Sequence, residues 1–160
     1  MNDTDALFRL GDAAQDAGDY HAARSAFEQG AALGDMTCLE RLAFLHDTGL
    51  GAAPDKAFAM RAYQRVWRRT RSTAAANNIA ILYREQGRAA AAFRWFARAA
   101  EHGDGDAMVE VAKRRLKGHG VRRSTDQARR ILMRALASRN ITEAGREEAA
   151  ALLAAAPPGT

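Results

Sequence analysis

The side chains able to do acid–base, nucleophilic or metal chemistry are few in this sequence, and they are scattered. His21, His46, His102 and His119 each fall near a turn or a helix end. None forms a His-x-x-x-His pair, the spacing that puts two imidazoles on one helical face for a metal ion. None lies near Cys38 in sequence, as a thiol–imidazole nucleophile would suggest. Cys38 is the single cysteine, so neither an intrachain disulfide nor a paired-cysteine metal motif can form. It falls at a small-residue packing position and reads as a buried, inert thiol. The glycine pairs at Gly49/Gly51 and Gly118/Gly120 carry no G-x-x-x-x-G-K and follow no strand, so they do not build a phosphate loop. The residues predict no catalysis, no cofactor and no metal.

Charge is the chemistry that remains. Residues 1–60 hold 4 Lys+Arg against 10 Asp+Glu, and residues 61–160 hold 20 against 9, so a formal net charge of +5 conceals an acidic first part and a basic remainder. The basic residues are arginine except at Lys56, Lys113 and Lys117. That bias, with abundant alanine, reads as the coding composition of a GC-rich, bacterial-type genome; the segregation of charge does not follow from it. The runs Trp67-Arg68-Arg69-Thr70-Arg71 and Lys113-Arg114-Arg115-Leu116-Lys117, with Arg122, Arg123, Arg129 and Arg130, suggest phosphate binding. Nucleic-acid binding needs one coherent basic face and stacking aromatics. Here the aromatics sit at packing positions, so a solvated face, or attraction to an acidic protein, is the better reading.

These side chains must be carried by helices. Three prolines, two of them adjacent, and few β-branched residues leave long helix-permissive stretches. Slid by 69 positions, the chain falls into register without a gap: Gly18 meets Gly87, Ala23 meets Ala92, Phe27 meets Phe96, Gly34-Asp35 meet Gly103-Asp104, Ala43 meets Ala112, and Gly49 and Gly51 meet Gly118 and Gly120. Half that offset, about 34 residues, is the length of a helix–turn–helix repeat. The pattern predicts a single helical-repeat domain over 4–156, with four helix pairs at about 4–35, 36–73, 74–104 and 105–139. Within them an apolar stripe at Leu7, Leu10 and Ala14 opens the first helix, the fourth runs from about Asp55 to Trp67, and Arg68–Thr73 forms a polar connector. Thr142 caps a last helix over 142–156, and 157–160 is a tail. Ala23, Ala43, Ala80, Ala92 and Ala112 allow close helix approach, and Phe27, Tyr83 and Phe96 fill the gaps between layers. Nothing at the start looks like a signal peptide and no apolar run is long enough to span a bilayer, so a cytoplasmic location is expected.

The stretches ALFRLGDAAQDAGDYHAARSAFEQGAALGD and NNIAILYREQGRAAAAFRWFARAAEHGD resemble tetratricopeptide repeats. CLERLAFLHDTGLGAAPDKAFAMRAYQRV and AMVEVAKRRLKGHGVRRSTDQARRILMRAL resemble the Sel-one-like variant, marked by its longer G-x-G turn. The likeness covers nearly all of residues 5–139. It departs from the pattern at His46 and Arg115, where the variant favours Tyr, and keeps the Trp-Tyr pair only as Trp95-Phe96.

This resemblance implies an all-α, right-handed α-solenoid of four antiparallel helix pairs plus a C-terminal cap, binding partners on the concave surface of the first helices. Carried over, that surface includes Phe8, Arg9 and Asp12; Glu40, Arg41 and Phe44; Asn77, Asn78, Ile81 and Arg84; and Glu110 and Lys113, together with Gln15, Asp47, Val109 and Leu116. Asn78 matches a position where such repeats keep an asparagine for a bound peptide's backbone. The matching positions hold Arg9, Arg41 and Glu110, so the family's basic carboxylate clamp is incomplete. Phe8, Phe44 and Ile81 are candidate apolar anchors, or fill the core between repeats. The expected function is a non-enzymatic scaffold or adaptor for a protein or peptide, an acidic one included. The alternatives are an immunity protein or chaperone occluding one toxin or effector and, with least support, a nucleic-acid-binding repeat. No membrane partner is expected.

Overall fold

The computed structural model describes residues 3–156; the tail expected at 157–160 lies outside the described residues. Among those described there are nine α-helices and no strand. They divide into two compact units, with the boundary between Arg71 and Ser72. The first unit holds α1 (Asp3–Asp16), α2 (Tyr20–Ala32), α3 (Met36–Thr48) and α4 (Lys56–Thr70). Helix α1 packs on α2, α3 on α4, and α2 joins the two hairpins by packing on α3. The second unit holds α5 (Thr73–Glu85), α6 (Ala89–Glu101), α7 (Gly105–Lys117), α8 (Thr125–Ala137) and α9 (Glu143–Ala155). It repeats the arrangement, α5 on α6, α7 on α8 and α6 on α7, with α9 laid against both α7 and α8.

Short polar side chains set the starts of α2 to α5 and α7 to α9, whereas α6 begins after Arg88 without a side-chain cap. The side chains of Asp19, Asp35, Asp55, Ser72, Asp104, Ser124 and Thr142 each accept a hydrogen bond from the backbone amide three residues on. Each satisfies one of the otherwise unpaired first-turn donors and contributes about 1 kcal/mol. Thr142 is itself held, through its amide and its hydroxyl, by the Asp106 carboxylate, which fixes α9 on the start of α7.

The small-residue seam is where the sequence puts it. Ala23, Ala43, Ala80, Ala92 and Ala112 are all fully buried. Phe27, Leu45, Leu82, Phe96 and Leu132 fill the space around them; burying such a side chain contributes on the order of 2 kcal/mol. Tyr83 is only half-buried. In α1 the expected stripe is corrected: Leu10 is 60% exposed, and Gly11 is the buried residue. A Cβ at Gly11 would stand 2.5 Å from the Phe27 ring, so the smallest side chain is required where α1 crosses α2. Helix α4 is also longer than expected. It continues through Arg68 and Arg69 to Thr70 because those residues face solvent, where a helix tolerates charge, and it stops only at Arg71, which adopts a left-handed φ of 58°.

The G-x-G turns have a specific packing reason. Gly51 has φ 80°, and a Cβ there would lie 2.8 Å from the Cβ of Tyr20, at the start of α2. Its counterpart Gly120 is pressed in the same way onto the backbone at Ala89, at the start of α6. The turn of the second hairpin in each unit therefore rests on the first hairpin. Gly51→Ala should lower the urea unfolding free energy by about 2 kcal/mol, because strain and overlap add. Gly34→Ala, at φ 92° with open space around it, should lose only about 1 kcal/mol. Equal losses would refute the packing argument.

Candidate partner-binding surface

In the first unit the candidate residues lie on α1 and α3. Phe8 is half-buried against the cluster of Ala23, Phe27, Cys38, Leu42 and Leu45, its ring 6.2 Å from that of Phe27. The Arg41 guanidinium lies 5.7 Å over the Phe8 ring and donates through Nη2 to Asp12 Oδ1 at 2.8 Å. Arg41, Asp12 and Phe8 thus form one linked group. Phe44, one helical turn beyond Glu40 and Arg41, is 37% exposed. It is the only aromatic among the described residues that is neither buried nor half-buried. Arg9 is exposed, and with Asp5, Phe8, Asp35 and Thr37 it lines a cavity of about 410 Å³. Glu40 is half-buried, and Asp47 pairs with Lys56 at 2.6 Å.

In the second unit the candidates separate into structural and open groups. Asn77 donates through Nδ2 to Asp104 Oδ2 at 2.8 Å, while the other carboxylate oxygen of Asp104 caps α7 by accepting from the Ala107 amide. Asn77 therefore ties α5 to the first turn of α7. Val109, expected on the open face, is instead 2% exposed and part of the core between α7, α8 and α9. Ile81 is half-buried against Ala80, Ala92, Phe96 and Val111, and Leu116 is half-buried against the α7–α9 core. Asn78 is half-buried and Arg84 exposed. Glu110 accepts from Lys113 Nζ at 2.7 Å, and Lys113 also reaches Glu148 of α9 at 2.9 Å.

The structure adds a residue that composition and motif did not single out as a core group. Arg114 is 5% exposed. Its guanidinium lies 5.0 Å over Phe96, and Nη1 donates to His119 Nδ1 at 3.4 Å. The signal was present in the 69-residue register, which pairs Arg114 with Leu45. Other arginines stack on Trp67, Tyr83, Trp95 and Phe93 at 4.3–5.3 Å. Their charges remain near water while their stems cover the rings. Each of these rings therefore has a guanidinium over it.

No group of three or more His, Cys, Asp or Glu able to hold a metal occurs among the described residues. Cys38 is fully buried, and burial, reinforced by Asp35, raises its thiol pKa from 9.0 to about 12. His46 is held below 6.5, first by burial and then by the Arg24 guanidinium, whose Nη1 is 3.1 Å from Nε2. Its ring also packs on Phe58 with centroids 4.1 Å apart. No helix among the described residues is long and apolar enough to cross a membrane.

No family model matches the sequence, and no curated protein matches it. Solved structures do. A protective antigen of uropathogenic Escherichia coli, displaying an SLR fold, superposes with a TM-score of 0.73 at 25% identity, over 82% of this chain and 30% of the antigen. A Sel1 repeat protein from Oxalobacter formigenes gives 0.76 at 23% identity, over 84% and 58% respectively. The MamA protein gives 0.61 at 16% identity, over 95% and 88%. The chain thus spans about a third of the first relative's length and somewhat more than half of the second's. Paired antiparallel helices, small-residue seams and G-x-G turns define a helical-repeat protein. Its fold is that of the tetratricopeptide-like superfamily, in the Sel1-like form that the sequence resembles.

Two chemical tests follow. Cys38 in the folded protein should resist a thiol reagent at pH 8 and react fully in urea; rapid native labelling would contradict its burial. For His46 the folded pKa lies below the unfolded value, so between the two the unfolded chain binds more protons. Stability should therefore fall as pH drops below 6.5, and His46→Gln should flatten that loss when urea midpoints at pH 7.5 and pH 5 are compared.

Proposed function

We propose that this chain is a non-enzymatic interaction module that binds a protein or peptide segment through the first helices of its hairpins. The observation that carries this reading is Phe44. An aromatic ring left exposed on a first helix, beside the linked group Phe8–Arg41–Asp12, is the kind of side chain that dominates binding when a partner desolvates it. Asn78 and Arg84 offer polar contacts from the corresponding helix of the second unit. A fold of capped helices presents such groups on a backbone that is already ordered, which lowers the ordering cost at the moment of binding. Two of the like-folded structures are a Sel1 repeat protein and an antigen with an SLR fold, which supports the reading at the level of fold.

The test is capture with the full chain, identification of the captured protein by mass spectrometry, and titration of that protein in purified form. Phe44→Ala should weaken the purified complex at least tenfold, the size typical of a truncated aromatic anchor, and Asn78→Ala severalfold, with unfolding midpoints unchanged. Unchanged affinity in the Phe44→Ala/Asn78→Ala double variant would place binding elsewhere and overturn the proposal.

A further inference from the structure

The two units carry different chemistry at matching positions. Under the 69-residue offset, Gln15, Arg41, Phe44, Leu45, Thr48 and Leu50 pair with Arg84, Glu110, Lys113, Arg114, Lys117 and His119. The second set lines a cavity of about 200 Å³ between α5, α7 and the turn that follows α7. Where the first unit has one cation, the second has four cations and a single carboxylate in the same places.

Arg114 shows that this is a built pocket. Its counterpart Leu45 is fully buried, as is Leu82, two residues past the seam alanine of α5. A guanidinium at such a core position is costly unless its charge and all its donors are met. They are not. Glu110 Oε2 is 3.9 Å from Nη2, and Glu110 is already engaged by Lys113 at 2.7 Å. His119 takes one Nη1 donor, and the Arg114 Nε is buried without any partner. Burial, opposed by Glu110 and reinforced by the nearby Arg84, lowers the Arg114 pKa, which means that its charge is under-compensated. Arg84 and Lys117, which also line the cavity, are exposed, and their side chains make no hydrogen bond or ion pair among the described residues.

We propose that this pocket receives a carboxylate side chain of an acidic segment in the partner protein, with Arg114 at its base and Arg84 and Lys117 closing on the anion. Carboxylates are the anions this cluster already holds, with Glu110 and Glu148 both lying on Lys113 at 2.7 and 2.9 Å, so the charge left unmatched in the pocket is that of Arg84, Arg114 and Lys117. Planar guanidinium groups match a carboxylate's two oxygens. The proposal rests on the interaction reading above and specifies the partner's chemistry: an acidic stretch for the second unit, alongside the apolar anchor for Phe44.

The experiment titrates the full chain, labelled with nitrogen-15, with an acetylated and amidated tetraglutamate peptide, with inorganic phosphate and with single-stranded RNA at matched ionic strength. The peptide should shift the arginine Nε–H resonance that disappears in Arg114→Lys. The surface variant Arg84→Ala/Lys117→Ala, which removes no core atom, should bind the peptide about tenfold more weakly while its unfolding midpoint stays put. Tighter binding of phosphate or RNA than of peptide, or peptide affinity unchanged in the surface variant, would overturn the proposal. The captured partner separates the two readings. Loss of its binding with Phe44→Ala but not with Arg84→Ala/Lys117→Ala would refute the pocket alone, and indifference to both would refute the interaction surface itself.

Discussion

Close approach between helices at residues with almost no side chain is the constraint on which the rest of this molecule depends. Ala23 and Ala43 in the first unit, and Ala80, Ala92 and Ala112 in the second, are wholly enclosed. Gly11 lies so near the Phe27 ring that even a methyl group would overlap it. Because helix axes can approach at these points, each large neighbour finds a gap of its own size, and packing reaches the density at which core contacts become specific. Enlarging a seam residue would separate two helices along their length, so its effect would be felt by every ring in the adjoining layer.

That seam leaves the outer faces of the helices free to vary, and the two units have used the freedom differently. The first unit places an exposed phenylalanine at a position where the second has a lysine, and a buried leucine where the second has an arginine. Phe96 beneath the guanidinium, with Glu110 and His119 beside it, offsets only part of the cost of this exchange at a core position. The backbone plan is repeated, while the chemistry presented on it is not. A repeat protein acquires distinct contact sites in this way without changing its architecture.

Arginine accounts for much of the protein's surface character. Guanidinium groups lie over Phe8, Trp67, Tyr83, Phe93, Trp95 and Phe96. These contacts hide aromatic area that the hairpins leave at their margins, and they explain why a chain with a pI near 10.0 does not present bare rings between its cations. Phe44, which carries no such cover and is partly open to solvent, stands out against that background.

Much of this was determined by the sequence alone. The repeat length, the start of the last helix at Thr142, the small seam residues and the G-x-G turns are local or periodic signals, and each has one physical reading. The burial of Cys38 follows from the same periodicity. Tertiary structure decided what periodicity cannot. Leu10 and Val109 exchange the environments that a helical stripe suggests, because the facing helix, not the stripe, determines which side is covered. Asn77 is spent on the cap of α7 because a residue 27 positions away comes within 2.8 Å. Arg114 reads as one more member of a basic run until Phe96, His119 and Glu110 are brought around it. A sequence states which groups are available; only packing between helices states which of them still have an unmet charge or an uncovered face.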